Sequence, residues 1–333
     1  MSTIEATVFT CGWYHAGIRD FHLAMLREHA DRSPISIVRI ADGRDRAAIK
    51  AENARFGAAR TYVFRSKGPI LRNLAKLLPI FPLFVLLVML REGRRGQLIT
   101  HDGFLFWLIP SFLLRRAQLF AHDPEPHESA ERPAAARFRR RYFRFVYFVK
   151  RWQAIVVGSE SNRAVMLAGG CASPVVISPF PRFDASLFEG DAQIPELQGA
   201  RGYILFFGRV DIYKGVYDWL LANPDLIASR QVVIAGEVID TRVRAFADRV
   251  TLIGRFIKPE EVPRLFGGAA ALICPYLTAT HSGIPDLGVS FGTPVYVSRI
   301  PYFEERYADV PGVSFMDALA GDLALSMTRP AAP

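Results

Sequence analysis

The chain has 333 residues, well beyond the roughly 100 to 200 of a usual domain, so a single small domain is excluded and two are expected. Half the residues are hydrophobic, 12% are aromatic and 22% are charged, which excludes a disordered chain, a collagen and a coiled coil. Residues 1–180 carry 27 Lys and Arg against 14 Asp and Glu, a surplus of 13, whereas residues 181–333 carry 14 against 18, a deficit of 4. A basic half of this kind suits nucleic acid, an anionic membrane surface or phosphorylated substrates, and charge alone does not choose among them.

In chain order, Ala6 to Thr10 reads as a strand, Arg19 to His29 as a helix and Ile35 to Ile40 as a strand. Further strands are predicted at Arg60 to Phe64, Gln97 to Thr100 and Ala117 to Ala121, with helices at Ile70 to Arg91 and Phe104 to Leu114 between them. A helix from Arg137 to Trp152 leads into strands at Ala154 to Gly158 and Pro174 to Ile177. This alternation implies a parallel sheet. Ser178 to Gly202 holds Pro179, Pro181 and Pro195 without periodicity and reads as a linker, so the expected domains are 1–180 and 181–333. Alternation then restarts with strands at Tyr203 to Gly208, Gln231 to Ala235, Val250 to Ile253, Ala270 to Pro275 and Pro294 to Ser298, and helices at Val216 to Ala222 and Pro259 to Leu265. A short helical pattern at Ala318 to Met327 comes last. The expectation is two Rossmann-like halves, with ligand at the carboxyl ends of the strands.

The apolar run Ala6 to Tyr14 is short and lacks a basic lead-in, so it does not read as a secretory signal. Leu77 to Leu90 is apolar but interrupted by Pro79 and Pro82 and spans 14 residues, against about 20 needed to cross a bilayer. It reads as a buried or interfacial helix. Cys11, Cys171 and Cys274 are scattered and odd in number, which supports neither a disulfide framework nor a zinc site and fits a reducing compartment.

Chemistry concentrates in two stretches. In Phe206 to Tyr217 (FFGRVDIYKGVY) a strand runs into Gly208 and Arg209, and Lys214-Gly215 precede a helix. Glycine allows close approach of a ligand to the backbone, and two cations beside a helix start suit a diphosphate. In Cys274 to Ser298 a Thr/Ser/Gly-rich loop, Thr278 to Gly283, follows a strand and precedes a short helix; its hydroxyls and amides suit phosphate or sugar oxygens. An ordinary strand-to-helix turn capped by Ser282 explains the same loop without a ligand. No GxGxxG follows a strand, which argues against a dehydrogenase.

The ordered set of elements resembles glycosyltransferase family 4, retaining enzymes of the GT-B fold: an α/β architecture of two Rossmann-like domains facing a central cleft. The resemblance rests on Gly12 and Gly17, with His15 between them, in the first loop, His122 in AHDPEPH, and Ser159 in VVGSESNR. It continues through Gly208-Arg209, Lys214-Gly215, Gly236-Glu237, LIGRF near Gly254, and the PY…SG…FGTPV block. It implies that Arg209 and Lys214 bind the donor diphosphate and stabilise its departure, that His122 lies against the donor sugar, and that Gly12, His15 and Gly17 form an acceptor-side loop. Gly208, Gly236, Glu237, Thr280, His281, Ser282, Gly283 and Asp286 would complete the donor site. No DxD pattern is present, which agrees with a metal-independent reaction and no cofactor. The family usually carries two glutamates eight positions apart in its last block; here Thr278 and Asp286 stand at those places, which puts the choice of donor sugar in question. Asp286 would accept bonds from ribose hydroxyls.

The implied partners are a nucleoside diphosphate sugar and a glycan or polyprenyl-linked acceptor in surface-polysaccharide assembly, with no nucleic acid. The helix RFRRRYFRFVYFVKRW sets Phe138, Tyr142, Phe145 and Val149 on one expected face and Arg137, Arg140, Arg141, Arg144 and Arg151 on or beside the other. Such a helix suits an anionic surface, so a cytoplasmic enzyme peripheral to the inner membrane is expected. The competing reading is a non-catalytic polyanion or membrane binding protein on a degenerate GT-B fold.

Overall fold

The computed structural model describes residues 8–13, 16–29, 35–42, 46–66, 80–81, 83–88, 90–91, 98–101, 117–121, 124 and 133–316. The chain divides into two units, residues 1–124 with 138–181 and residues 125–137 with 182–333. Each is built on its own parallel sheet.

The first unit carries β1 (Val8–Trp13), β2 (Ile35–Asp42), β3 (Ala58–Ser66), β4 (Leu98–His101), β5 (Ala117–Phe120), β6 (Ala154–Val157) and β7 (Val175–Ile177). They are ordered β3-β2-β1-β4-β5-β6-β7, all parallel. Helix α1 (Ala16–His29) joins β1 to β2, and α2 (Arg46–Arg55) joins β2 to β3. Residues 80–81, 83–88 and 90–91 are helical within the β3 to β4 connection. Helix α3 (Pro133–Arg144) precedes β6 and α4 (Glu160–Ala168) follows it. Ser159 starts α4 by accepting the Asn162 amide at 3.1 Å, the side-chain cap that a helix needs for its first unpaired N–H groups.

The arginine-rich helix does not stay regular to its end. It runs from α3 into a π turn, Phe145–Val149, where the Lys150 amide reaches back to the Phe145 carbonyl at 2.9 Å. This wider turn inserts a residue and rotates the positions after it. Val146 and Tyr147 are buried, while Phe145 and Val149, expected together on one face, are both exposed.

The second unit carries β8 (Tyr203–Phe207), β9 (Val232–Ala235), β10 (Thr251–Ile253), β11 (Ala269–Cys274), β12 (Val295–Ser298) and β13 (Val313–Met316), ordered β10-β9-β8-β11-β12-β13 and all parallel. Its helices are α5 (Val216–Ala222), α6 (Pro224–Ser229), α7 (Val262–Gly268), α8 (Ile284–Ser290) and α9 (Pro301–Tyr307). The stretch read as a linker is packed: 3-10 turns at Ala185–Leu187 and Pro195–Leu197 bury Phe183, Leu187, Phe188, Ile194 and Leu197. Its apolar residues are spaced by turns rather than by a regular period, which is why the sequence pattern missed them. Of the predicted helix Ile70 to Arg91, residues 70–79, 82 and 89 lie outside the described residues and the rest are helical, while Phe104 to Leu114 and Ala318 to Met327 lie outside them altogether.

Each sheet reverses its strand order once, at β1/β4 and at β8/β11, and such a switch point leaves a crevice at the strand carboxyl ends. The strands beside the second switch are fully buried apolar runs, as a sheet covered on both faces requires. Leu205, wholly buried on β8, anchors that centre. Leu205→Ala is expected to cost about 2–5 kcal/mol, read as a lower urea midpoint at an unchanged slope.

Candidate functional site

At the β8/β11 switch point two loops meet. Gly208 ends β8 in the left-handed region, at φ +112°, and Gly236 ends β9 at φ +151°. A Cβ on Gly236 would lie 2.0 Å from the Gly208 carbonyl oxygen, so no other residue fits there. Gly215 has the same constraint against the Pro275 carbonyl oxygen, also at 2.0 Å. The Leu277 amide donates to the Tyr213 carbonyl at 2.9 Å, closing the loop after β8 onto the loop after β11.

Asp211 organises the two cations of the first loop. Its buried carboxylate accepts the Ile212 amide at 2.9 Å and the Arg209 guanidinium at 3.2 Å, and its carbonyl accepts the Lys214 amide at 3.0 Å. The 3-10 turn Ile212–Lys214 is thereby set, with Gly215 terminating it in the left-handed conformation. Arg209 is half exposed. Lys214 is buried, its ammonium 3.8 Å from the centre of the Tyr276 ring and 5.3 Å from that of Tyr213. Such placement over aromatic faces offsets part of the cost of removing the charge from water. Burial pushes the neighbouring Cys274 thiol up to about 12, which leaves it protonated and inert.

The hydroxyl-rich loop is gripped from within by tyrosines. The Ser282 hydroxyl lies 3.3 Å from the Tyr276 hydroxyl and 3.4 Å from the Ile284 amide, which donates to it. The Ser282 amide donates to the Tyr302 hydroxyl at 3.4 Å, and its carbonyl accepts the Tyr307 hydroxyl at 3.1 Å. His281 Nδ1 pairs with the Tyr302 hydroxyl at 3.1 Å. Thr280 and Ser282 are buried, whereas Leu277 and Thr278 are exposed. The capping reading of Ser282 therefore describes its contacts. Gly283 is held by space: a Cβ there would stand 2.3 Å from the Phe183 ring.

Asp286, in the first turn of α8, is also buried, and Arg306 of α9 donates to its Oδ2 at 2.7 Å. Its Oδ1 is buried without a hydrogen-bond partner. Burial raises its carboxyl above the usual carboxylate range despite the opposing field of Arg306.

Gly208, Arg209, Lys214, Gly236, Glu237, Thr280, His281, Ser282, Gly283 and Asp286 thus follow β8, β9 and β11 of one sheet, at the carboxyl end of each strand. Glu237 is exposed and its carbonyl accepts the Val210 amide at 2.8 Å. Gly12 is in β1 and Gly17 in α1, so they flank residues 14–15 rather than sharing a longer loop. His15 and His122 lie outside the described residues. Sequence reading missed Asp211, Tyr276 and Arg306. Asp211 stands between the two cations in FFGRVDIYKGVY and could have been found there; the partnership of Arg306 with Asp286, 20 positions earlier, leaves no local pattern.

No protein-family model matches the sequence, and no curated protein sequence matches it significantly. Solved structures do match the fold. HepE of Anabaena, in complex with UDP and glucose, superimposes with a TM-score of 0.57 at 15% identity, covering 88% of this chain and 80% of that one. Sucrose-phosphate synthase of Thermosynechococcus elongatus gives 0.63 at 14% identity, over 94% and 86% of the two chains. An α,α-trehalose-phosphate synthase (UDP-forming) of Burkholderia vietnamiensis gives 0.59 at 12% identity, over 97% and 92%. These neighbours are GT-B glycosyltransferases, and this chain has the α/β fold that they share.

Arg306→Met would strand the Asp286 carboxylate in a buried setting, and breaking such a pair costs about 3–5 kcal/mol. The deficit is expected to be largest near pH 8 and to shrink as pH falls toward about 4, the range of an unfolded aspartate. Protonation of Asp286 in the folded variant removes the uncompensated charge, so its stability relative to wild type recovers on the acid side. Thermal unfolding at pH 5 and pH 8 checks this, and an equal deficit at both would contradict it.

Proposed function

We propose that the protein is a glycosyltransferase that moves a sugar from a nucleoside diphosphate sugar to a glycan or lipid-linked acceptor, and that it is a divergent relative of glycosyltransferase family 4. The observation that carries this reading is the cation pair Arg209 and Lys214, fixed by one buried aspartate at the switch point of a doubly wound sheet. Brought to that crevice, a diphosphate meets the Arg209 fork and the Lys214 point charge, with glycine backbone at Gly208. The fold shared with the three transferases supports it, and the ligands of one and the activity of another, UDP with glucose and UDP formation, fit a nucleotide-sugar donor.

In the proposed chemistry the acceptor hydroxyl attacks the anomeric carbon on the face that the phosphate leaves. The new carbon–oxygen bond forms as the bond to the diphosphate breaks, and the acceptor proton passes to the departing phosphate oxygen. Arg209 and Lys214 neutralise the charge that develops on that oxygen, which needs no metal ion. Among the residues expected to touch the donor, Ser282 and Asp286 act from beneath: their contacts to Tyr276, Tyr302, Tyr307 and Arg306 fix the loop that faces the ligand. The shortened side chain at position 286 and Thr278 in place of a glutamate leave hexose choice to other groups; Glu237 is exposed in the loop after β9. A non-catalytic polyanion binder would give no role to two cations set in one short turn by a single buried aspartate.

Arg209→Ala and Lys214→Met are expected to lower transfer more than about tenfold, equivalent to roughly 1.4 kcal/mol of leaving-group stabilisation each. The assay is product formation from UDP-, GDP- and ADP-sugars, with circular dichroism to confirm folding. Wild-type turnover in both variants would remove the site assignment.

A further inference from the structure

The helical residues 80–81, 83–88 and 90–91 and the helix α3 with its π turn lie in crossovers that run the same way along the first sheet, from β3 to β4 and from β5 to β6. Right-handed connections therefore put both on one face, opposite α1 and α2. Their packing agrees: Phe81, Val85 and Val88 from one and Val146 and Tyr147 from the other enter a single buried cluster with Ile155 and Val157 of the sheet.

The outer side of this layer is unusual for a protein that faces only water. Ile80, Leu83, Leu87 and Leu90, spaced as one helical stripe, are each more than half exposed, Leu90 at 70%. A lone exposed leucine is ordinary, but a stripe of four marks a contact surface. On the helix of the β5 to β6 crossover Phe145 and Val149, at the two ends of the π turn, are exposed as well. Around these apolar groups Arg91, Arg140, Arg141, Arg144 and Arg151 are exposed. Neither residues 80–91 nor residues 133–151 contain a single Asp or Glu.

We propose that this outer layer docks on an anionic phospholipid bilayer, with the leucine stripe, Phe145 and Val149 entering the headgroup boundary and the arginines pairing with lipid phosphates. Charge decides the occupant. A second copy docked through the same face would set arginines against arginines, since a two-fold contact pairs each patch with itself. A nucleic acid would use the cations and leave the leucines in water. An anionic bilayer satisfies both at once. The helix lies in the interface rather than across it, since no helix among the described residues is long and apolar enough to cross a membrane. This inference goes beyond sugar transfer and does not depend on it.

The test is sedimentation of the full chain with vesicles of phosphatidylcholine alone and of phosphatidylcholine mixed with phosphatidylglycerol, at low and raised salt. Wild type is expected to bind the mixed vesicles and to be weakened by salt. The triple variant Leu83→Gln, Leu87→Gln, Leu90→Gln should bind about tenfold less at either salt, and Arg140→Gln, Arg141→Gln, Arg144→Gln should lose the preference for the anionic lipid. All six positions are exposed, and unchanged thermal unfolding verifies that each variant is folded. Equal sedimentation of variants and wild type overturns the proposal. So does a wild-type dimer in lipid-free solution that the leucine variant converts to monomer, which would make this face an interface between copies. Vesicle binding is read without donor, so its outcome is separate from that of the transfer assay.

Discussion

Two backbone carbonyls govern the second sheet's loops. The Gly208 oxygen and the Pro275 oxygen each point into a place where any Cβ would stand about 2.0 Å away, and both places are taken by glycine, Gly236 and Gly215. Gly236 and Gly215 also sit at positive φ, which only glycine adopts without strain. These approaches draw the loops after β8, β9 and β11 together, backbone against backbone. A buried ammonium over a tyrosine ring is possible only once that closure has been made, because Tyr276 belongs to one loop and Lys214 to the other.

The closure also sets the layer beneath. Tyr276 carries Lys214 on its ring face and reaches Ser282 with its hydroxyl, while its carbonyl accepts the Ser298 hydroxyl at 2.5 Å. Tyr302 and Tyr307 take the amide and carbonyl of Ser282 from α9. Burial pushes Tyr302 up to about 12 and moves Tyr276 and Tyr307 upward in the same direction, so the three hydroxyls stay neutral across the physiological range. The loop thus owes its shape to a neutral hydroxyl network plus one ion pair, Arg306 with Asp286. The charged side chains of the loops after β8 and β9 include Arg209, Lys214, Asp211 and the exposed Glu237.

Much of the fold was legible from periodicity because buried parallel strands are short apolar runs. Val216 to Ala222 is a helix with the expected bounds, β8, β9 and β12 differ from their expected bounds by one residue at one end, and β11 is displaced by one residue at both. Elements that depend on tertiary contact were not legible. Helix α9 and strand β13 complete the second sheet's edge, yet α9 buries tyrosines whose purpose is to bond a loop 20 to 25 residues away. The π turn escaped for a similar reason: the Lys150 amide closes onto the Phe145 carbonyl at the helix end, and a constant helical period cannot anticipate it. In the site, glycine and cation positions stood out in the sequence. The inward turn of Ser282 and the depth of Asp286 did not, since a hydroxyl or carboxylate in a loop has the same sequence signature whether it faces a ligand or a tyrosine.

The partition of charge bears on how the site must work. Residues 181–333 are net acidic by four, so at a distance that half repels an anion rather than attracting one. Screening cuts that repulsion beyond about 8 Å at physiological ionic strength, and inside that range the fixed positions of Arg209 and Lys214 against Asp211 and Glu237 set the local field. Recognition of a phosphorylated ligand must therefore be short-ranged and geometric, set by the fork of Arg209 and the fixed ammonium of Lys214. A long polyanion gains nothing from such an arrangement, because the acidic surroundings oppose every phosphate beyond the first one or two. A compact diphosphate places all of its charge within reach of the pair. The same sequence thus holds two kinds of positive charge: dispersed exposed arginines in the basic half, suited to a surface of many phosphates, and a localised pair in the acidic half, suited to one small ligand.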